Sequence, residues 1–166
     1  MRDRGFGGPN VCALVGISYR QLDYWARTGL LEPSLAPATG SGSRRLYSYG
    51  DLVELKVIKR LLDGGVSLRA ARRAIDFLRQ NLAGDLSSVN LVLDGKRSIL
   101  ARSGEEIVDL LAGGQGVLNI VPLGSVLREL DAAIVELDER RPVQAGETAD
   151  PAGSSEGGTP RLDREA

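Results

Sequence analysis

The chain has 166 residues, of which 42% are hydrophobic and 26% charged, a composition typical of a globular protein with one ordinary domain or two small ones. No apolar run approaches the roughly 20 residues that a membrane span needs, and the opening MRDRGFGGPN lacks the apolar core of a secretory signal. A single cysteine, Cys12, and the absence of histidine exclude an intramolecular disulfide, a Cys/His metal site and histidine-dependent catalysis. We expect a cytoplasmic protein without metal or cofactor.

The formal net charge of −1 conceals two halves of opposite sign. Residues 1–81 contain 13 Lys+Arg and 7 Asp+Glu, a net of +6, whereas residues 82–166 contain 8 and 15, a net of −7. A basic half joined to an acidic half indicates that the first half binds a polyanion, although an asymmetry of this size also arises by drift.

A capping-box signal opens the helix predicted over residues 18–28, within the stretch GISYRQLDYWARTGLLEP. Ser18 and Gln21 have the three-residue spacing in which each side chain bonds the other residue's backbone N–H. One face of this helix is aromatic and basic with a single acid, and it consists of Tyr19, Arg20, Asp23, Tyr24 and Arg27. Such a face either stays solvated or meets an anionic partner.

The other face of this helix is apolar, because Leu22, Trp25 and Ala26 recur at helical spacing. We therefore expect Trp25 to be a core residue. A short apolar segment, VCALVG, precedes the helix, and Gly29 ends it. A helix, a glycine-containing turn and a second helix with a basic outer face are typical of the helix-turn-helix motif.

A β-hairpin is predicted over residues 37–47, because two short arms flank the flexible tip Gly40-Ser41-Gly42. Its return arm carries Arg44, Arg45 and Tyr47. A plain surface loop is the alternative.

Two further helices are predicted after the hairpin. Ser48 and Asp51 have capping-box spacing at the start of the first, which ends at Gly64-Gly65, and Ser67 caps the second. The second helix has an arginine-rich face that we expect to be mainly solvated, formed by Arg69, Arg72, Arg73 and Arg79.

Taken in order, these motifs resemble the winged helix-turn-helix domain of the MerR family of bacterial transcription regulators. The matching elements are Gly-Ile-Ser, Leu-x-Tyr-Trp, Gly-Leu-Leu-x-Pro, Arg-Leu-Tyr-Ser, Asp-Leu-x-x-Leu and Gly-Val-Ser-Leu, over about residues 10–80. The wording YRQLDYWARTGL with GSGSRRLYS is similar to a MerR-like subgroup common in actinobacteria. The resemblance implies an N-terminal domain, residues 1–81, of four helices and a β-hairpin wing. It also implies binding to double-stranded promoter DNA as a homodimer, with RNA polymerase as a further partner at the promoter.

Two features depart from the family pattern. Asp23 stands where members usually have an arginine that contacts the DNA backbone. We expect Asp23 to orient Arg20 or Arg27, or to accept a hydrogen bond from a cytosine amino group. No long coiled-coil helix, the usual dimerisation element, follows Gln80, and the cysteines of the metal-sensing members are missing.

Strand-like sequence begins after residue 81. VNLVLDGKRSILAR predicts a hairpin about Asp94-Gly95, and GVLNIV predicts a further strand. Ser103 and Glu106 predict a capped helix between them, and Pro122 suits the first residue of a last helix.

These elements form a predicted small α/β domain, residues 88–139, for dimerisation or regulation, so the whole chain is expected to be an α+β fold. Residues 142–166 are rich in Gly, Pro, Ser, Thr and acids, cannot bury enough apolar surface to offset their ordering entropy, and are expected to be disordered. The last helix carries an apolar seam at heptad spacing, formed by Leu123, Leu127, Leu130, Ile134 and Leu137. Because the family's coiled coil is absent, we expect this seam to form the dimer interface, although packing on the chain's own sheet would produce the same stripe.

The function that these patterns favour is a sequence-specific DNA-binding transcription regulator that uses the helix 18–28 and the wing 37–47. The expected DNA contacts are Ser18, Tyr19, Arg20, Tyr24, Arg27, Arg44, Arg45 and Tyr47. A DNA-bending accessory protein of the excisionase type and an adaptor that binds another regulator are the alternatives. An enzyme is the least favoured class, because no nucleophile–base pair or paired-carboxylate pocket can be argued.

Overall fold

The computed structural model of the chain describes residues 4–37, 44–81, 84–94, 97–102, 104–113 and 118–141. The predicted wing tip, the turn at Gly95, the cap at Ser103 and the tail from residue 142 lie outside the described residues. The first half contains strands β1 (Phe6–Gly7) and β2 (Leu46–Tyr47) and helices α1 (Gly8–Val15), α2 (Tyr19–Arg27), α3 (Tyr49–Asp63) and α4 (Leu68–Asn81). The second half contains β3 (Asn90–Asp94), β4 (Arg97–Ala101), α5 (Gly104–Gly113), β5 (Leu118–Pro122) and α6 (Leu123–Arg140). A helical first half followed by a small sheet confirms the predicted α+β class.

Local sequence signals set both ends of the turn between α1 and α2. Gly16 ends α1 in the left-handed region, at φ 80°, which glycine adopts at little cost. The Ser18 Oγ accepts a hydrogen bond from the Gln21 N–H at 3.1 Å, and the Gln21 Oε1 accepts one from the Ser18 N–H at 3.0 Å. The predicted capping box is confirmed, and so is the buried position of Trp25, which is 4% exposed.

The wing is anchored by a strand that the sequence patterns did not predict. β1 pairs antiparallel with β2, with Phe6 opposite Tyr47. On the other side of β2, Ala36 and Leu46 form an antiparallel bridge whose two N–H···O distances are 2.9 and 3.2 Å. The bridge brings the two ends of the predicted hairpin together, the first of them one residue earlier than expected, and β1 pairs with the second.

The second half is a three-stranded antiparallel sheet with the strand order β4-β3-β5. Leu91 lies opposite Leu100 on one side and Val121 on the other. The strands predicted from VNLVLDGKRSILAR and GVLNIV are therefore confirmed. Leu91, Leu93 and Val121 are buried in the same hydrophobic cluster as the residues of α1 and α3.

Helix α6 packs across α1 and α3, so the two predicted domains share one hydrophobic core. Pro122 is the N-cap of α6, one residue before the position that the sequence suggested. Beside it the Leu123 N–H donates to the Val89 carbonyl oxygen at 2.9 Å.

Polar contacts add to this packing. The Tyr49 hydroxyl donates to Asp131 at 2.7 Å, Arg4 bonds both oxygens of Asp138 at 2.7 Å, and Arg60 pairs with Glu129.

The apolar seam of α6 faces this shared core. Leu123, Leu130 and Ile134 are 0% exposed, and Leu127 and Leu137 are partly buried against the same cluster. Three of its five side chains are therefore used for packing within one chain, as the alternative interpretation of the stripe expected, and dimerisation through the rest of the seam stays a prediction. Among the described helices, none combines the length and apolar character needed to cross a bilayer.

Candidate nucleic-acid interface

The outer face of α2 presents two large aromatic side chains to solvent. Tyr19 is 62% exposed and Tyr24 is 52% exposed, and Arg20 and Arg27 are exposed on the same helix. Two exposed aromatic rings beside two guanidinium groups give this face both apolar surface and positive charge. The structure thus brings together four of the residues expected to contact DNA.

Ser18 lies at the start of the same helix and is also exposed. Its hydroxyl accepts a hydrogen bond from the Gln21 N–H, so Ser18 acts as the N-cap of α2.

The two arginines directly before β2, Arg44 and Arg45, lie in different environments. Arg44 is exposed, whereas the Arg45 side chain is only 21% exposed and its Nη1 donates to Asp23 Oδ1 at 2.8 Å. Arg44 is therefore available at the surface, while Arg45 spans from the wing to α2.

Tyr47 is placed differently from the sequence-based prediction. Its side chain is 0% exposed, and its hydroxyl is buried with no hydrogen-bond partner in the part of the chain that the structure describes. Burial raises the pKa of the Tyr47 phenol above its ordinary value of 10.0. A DNA contact by Tyr47 is not compatible with this burial, and across the two strands Tyr47 pairs with Phe6.

Asp23 lies on the outer face of α2 and contacts arginines from both α2 and the segment before β2. Its Oδ1 accepts from Arg45 Nη1 at 2.8 Å and its Oδ2 from Arg27 Nη2 at 2.7 Å. The hydrogen bond from Arg45, followed by the nearby charges of Arg27 and Arg45, holds the pKa of the Asp23 carboxyl below its usual 3.8. Of the two roles left open, orientation is the one that the geometry favours, and the oriented arginines are Arg27 and Arg45 rather than Arg20.

Helix α4 contributes a support that the sequence patterns missed. Arg72 Nη2 donates to the carbonyl oxygen of Thr28 at 2.9 Å, at the carbonyl end of α2, where a cation also interacts favourably with the helix dipole. The Thr28 hydroxyl itself donates to the Tyr24 carbonyl at 2.8 Å. No local pattern could reveal the first contact, because 44 residues separate Arg72 from Thr28.

The other arginines of α4 differ in whether an acidic side chain pairs with them. Arg79 is paired with Glu54 and Asp76, while Arg69 and Arg73 are exposed. Within the described residues, no group of three or more Cys, Asp or Glu side chains is arranged to hold a metal ion.

An exposed aromatic and basic helix, carried on a second helix and flanked by a basic wing arm, has the shape and charge to enter the major groove of a DNA duplex. The groove admits one α-helix, and arginines beside it neutralise phosphates.

Comparison with known proteins agrees with this geometry. Residues 10–78 match the family model described as MerR HTH family regulatory protein, a segment that contains α2, β2 and α3 and most of α1 and α4. Over 137 residues the chain is 50% identical to uncharacterized HTH-type transcriptional regulators of Mycobacterium bovis and of two strains of Mycobacterium tuberculosis. The alignments cover 82% of this chain and 60% of each relative, so the chain spans about 60% of the length of these relatives.

Proposed function

We propose that the chain is a transcription regulator of the MerR family that binds specific promoter DNA and controls transcription from it, because residues 10–78 match the MerR HTH family model. The observation that carries the proposal is the outer face of α2, where Tyr19 and Tyr24 are more than half exposed beside two arginines. A cytoplasmic location follows from the proposed target.

Helix α2 is the recognition helix, and its N-terminal turn enters the major groove. Tyr19 and Arg20 lie at that turn, and Arg20 is exposed with no salt bridge to any described residue. An arginine of this kind can bond guanine O6 and N7 together, a contact typically worth about 1–3 kcal/mol of discrimination. Tyr24 and Arg27, further along the helix, contact the sugar-phosphate backbone beside it.

The wing adds affinity rather than base selection. Arg44 is exposed on the arm that returns to β2, where its guanidinium can neutralise a phosphate that flanks the recognition helix. Phosphate contacts fix the register of a protein on the duplex without reading its sequence.

Two copies bind together on a two-fold symmetric operator. One winged domain covers one half-site, and specific recognition by this class of domain generally uses two related half-sites. The surface that joins the copies lies outside the buried part of the α6 seam, and RNA polymerase is the further partner at the promoter.

Selection of bound genomic fragments, followed by gel-shift titration, tests the proposal. We expect Arg20→Ala to weaken binding to the selected sequence about tenfold or more, from the loss of one arginine–guanine contact. Arg44→Ala should instead weaken binding to all sequences alike and reduce the slope of log K against log salt by about one unit.

Arg140→Ala is the matched control, because it removes the same charge from a side chain that is 75% exposed on α6. The mass of the complex should correspond to two chains per operator. Unchanged affinity of Arg20→Ala at matched salt would remove Arg20 from the interface. Selection of recombination sites would point to an accessory DNA-bending role, and failure of the intact chain to select any DNA would refute the proposed function.

A further inference from the structure

We propose that Asp23 is a positioning residue for DNA binding, which fixes the wing against the recognition helix by holding Arg45. The inference rests on the proposed function, and it gives the acid at the centre of a DNA-binding face a role that does not involve contact with DNA.

The geometry is a single carboxylate shared by two elements. Asp23 lies in the middle of α2, Arg27 lies one turn further on the same helix, and Arg45 lies directly before strand β2. The two carboxylate oxygens are each 2.7–2.8 Å from a guanidinium nitrogen, one from each arginine. Only the bond to Arg45 joins the helix to the wing, since the bond to Arg27 stays within α2.

Exposure distinguishes the two bonds. The side chains of Asp23 and Arg45 are 25% and 21% exposed, whereas that of Arg27 is 71% exposed. Exposed ion pairs are screened by water and salt and hold their partners weakly. The bridge to Arg45 is therefore the better placed of the two to restrict motion, and Arg27 is the freer of the two to turn towards DNA.

The ion pair between Asp23 and Arg45 pre-organises the wing in the free protein. A wing that is already fixed relative to α2 need not be ordered when DNA binds, so less conformational entropy is lost on binding. The ion pair also gives the two adjacent arginines different roles. Arg44 is exposed and can contact a phosphate, while Arg45 is held by Asp23 of α2.

The substitution Asp23→Asn separates this role from simple electrostatics, because the two predict opposite signs. If charge alone mattered, removal of a negative charge from a DNA-binding face would tighten binding. If Asp23 positions the wing, Asp23→Asn weakens binding to the selected operator, by about fivefold or more for residues coupled this directly.

A double-mutant cycle with Arg45→Gln identifies the partner. We expect Asp23→Asn to have little further effect once Arg45→Gln is present, because the bridge is already broken. Additive losses in the cycle would overturn the inference. So would an affinity of Asp23→Asn that equals or exceeds that of the unsubstituted chain.

Asp76→Asn serves as the matched control, since it makes the same charge change at a residue that is 56% exposed on α4. Hydrogen exchange of the DNA-free protein provides a readout that does not depend on DNA. The peptide that contains residues 44–47 should exchange faster in Asp23→Asn and at an unchanged rate in Asp76→Asn, and equal rates in both would overturn the inference.

The two levels of the proposal fail in different ways. If the unsubstituted chain selects no DNA, the proposed function is refuted and the role of Asp23 in DNA binding is refuted with it. If it selects DNA and Arg20→Ala weakens binding while Asp23→Asn does not, only the positioning role is refuted.

Discussion

The contact between the start of α6 and the segment before β3 can be tested with one added methyl group. Gly124 is the second residue of α6, and a Cβ built there would lie 2.9 Å from the Ser87 carbonyl carbon and closer still to its oxygen. Two carbon atoms in favourable contact are about 3.5–4.0 Å apart, so the start of α6 or the Ser87 backbone must shift. The neighbouring hydrogen bond from Leu123 to Val89, at 2.9 Å, would be strained by that shift.

The size of the effect follows from two terms. Overpacking of a tight site costs typically about 1–3 kcal/mol, and loss of one hydrogen bond adds about 1 kcal/mol. We therefore expect Gly124→Ala to lower the free energy of unfolding by about 2–4 kcal/mol relative to a glycine-to-alanine change made in open space.

Gly50→Ala provides that reference, because Gly50 is also the second residue of a helix, α3, and its Cβ would meet only Ser48 Oγ at 3.6 Å. Neither glycine has a positive φ, so both changes bring the same gain in helix propensity, about 0.5–1 kcal/mol. Urea unfolding of both variants can be followed by the fluorescence of Trp25, the single tryptophan. This probe lies in the first half of the chain, whose core α6 shares. Equal unfolding free energies for the two variants would refute the close packing of α6 on the Ser87 segment.

Two further substitutions test buried polar groups. Tyr47→Phe removes a buried hydroxyl that has no partner among the described residues; since such a group costs about 1–3 kcal/mol, the variant should be as stable as the unsubstituted chain or more so in urea unfolding, and its DNA affinity should not change. Weaker DNA binding by this variant would show that the Tyr47 hydroxyl reaches DNA after all. Glu54→Gln should be at least as stable as the unsubstituted chain at pH 7, because burial raises the pKa of the Glu54 carboxyl above 4.5 in spite of its pairing with Arg79, which raises the pKa of the arginine. A raised carboxyl pKa means that folding favours the protonated acid, so the stability gained from protonation is present below the unfolded pKa and lost as pH rises through the folded one. Thermal unfolding at pH 7 and near pH 4 should therefore show a higher stability of Glu54→Gln only at pH 7. Marked destabilisation of Glu54→Gln at pH 7 would contradict the expectation that burial outweighs the pairing with Arg79.

The features that the sequence predicted well are local. Ser18 and Gln21 form their capping box within one turn, and the same holds for Ser48 and Asp51. Strands β3 and β4, which are two residues apart in the sequence, pair with each other. Each of these structures is decided by side chains a few residues apart, so their spacing alone is informative.

The features that the sequence did not predict depend on partners far away in the chain. From the sequence, Tyr47 is expected at the surface of the wing, but it is buried where β2 meets β1, α1 and α3, and the first two of these lie more than 30 residues earlier in the chain. The link from Arg45 to Asp23 crosses 22 residues. For the α6 seam, the heptad spacing predicts an apolar stripe. It does not tell whether the stripe packs against a second copy or against the chain's own core.

The docking of α6 also determines when the N-terminal half can finish folding. Val11 and Leu14 of α1 belong to a core that is completed by Leu130 and Ile134 of α6, and Arg4 meets an acid 134 residues later. On the ribosome the helix-turn-helix segment is synthesised first, yet the surface that α6 covers stays open until residues 123–140 have emerged. Contacts that close over such a separation form late because their loop-closure entropy must be overcome first. A nascent or truncated chain that ends at residue 81 therefore leaves the apolar surfaces of α1 and α3 without the side chains of α6 that pack against them.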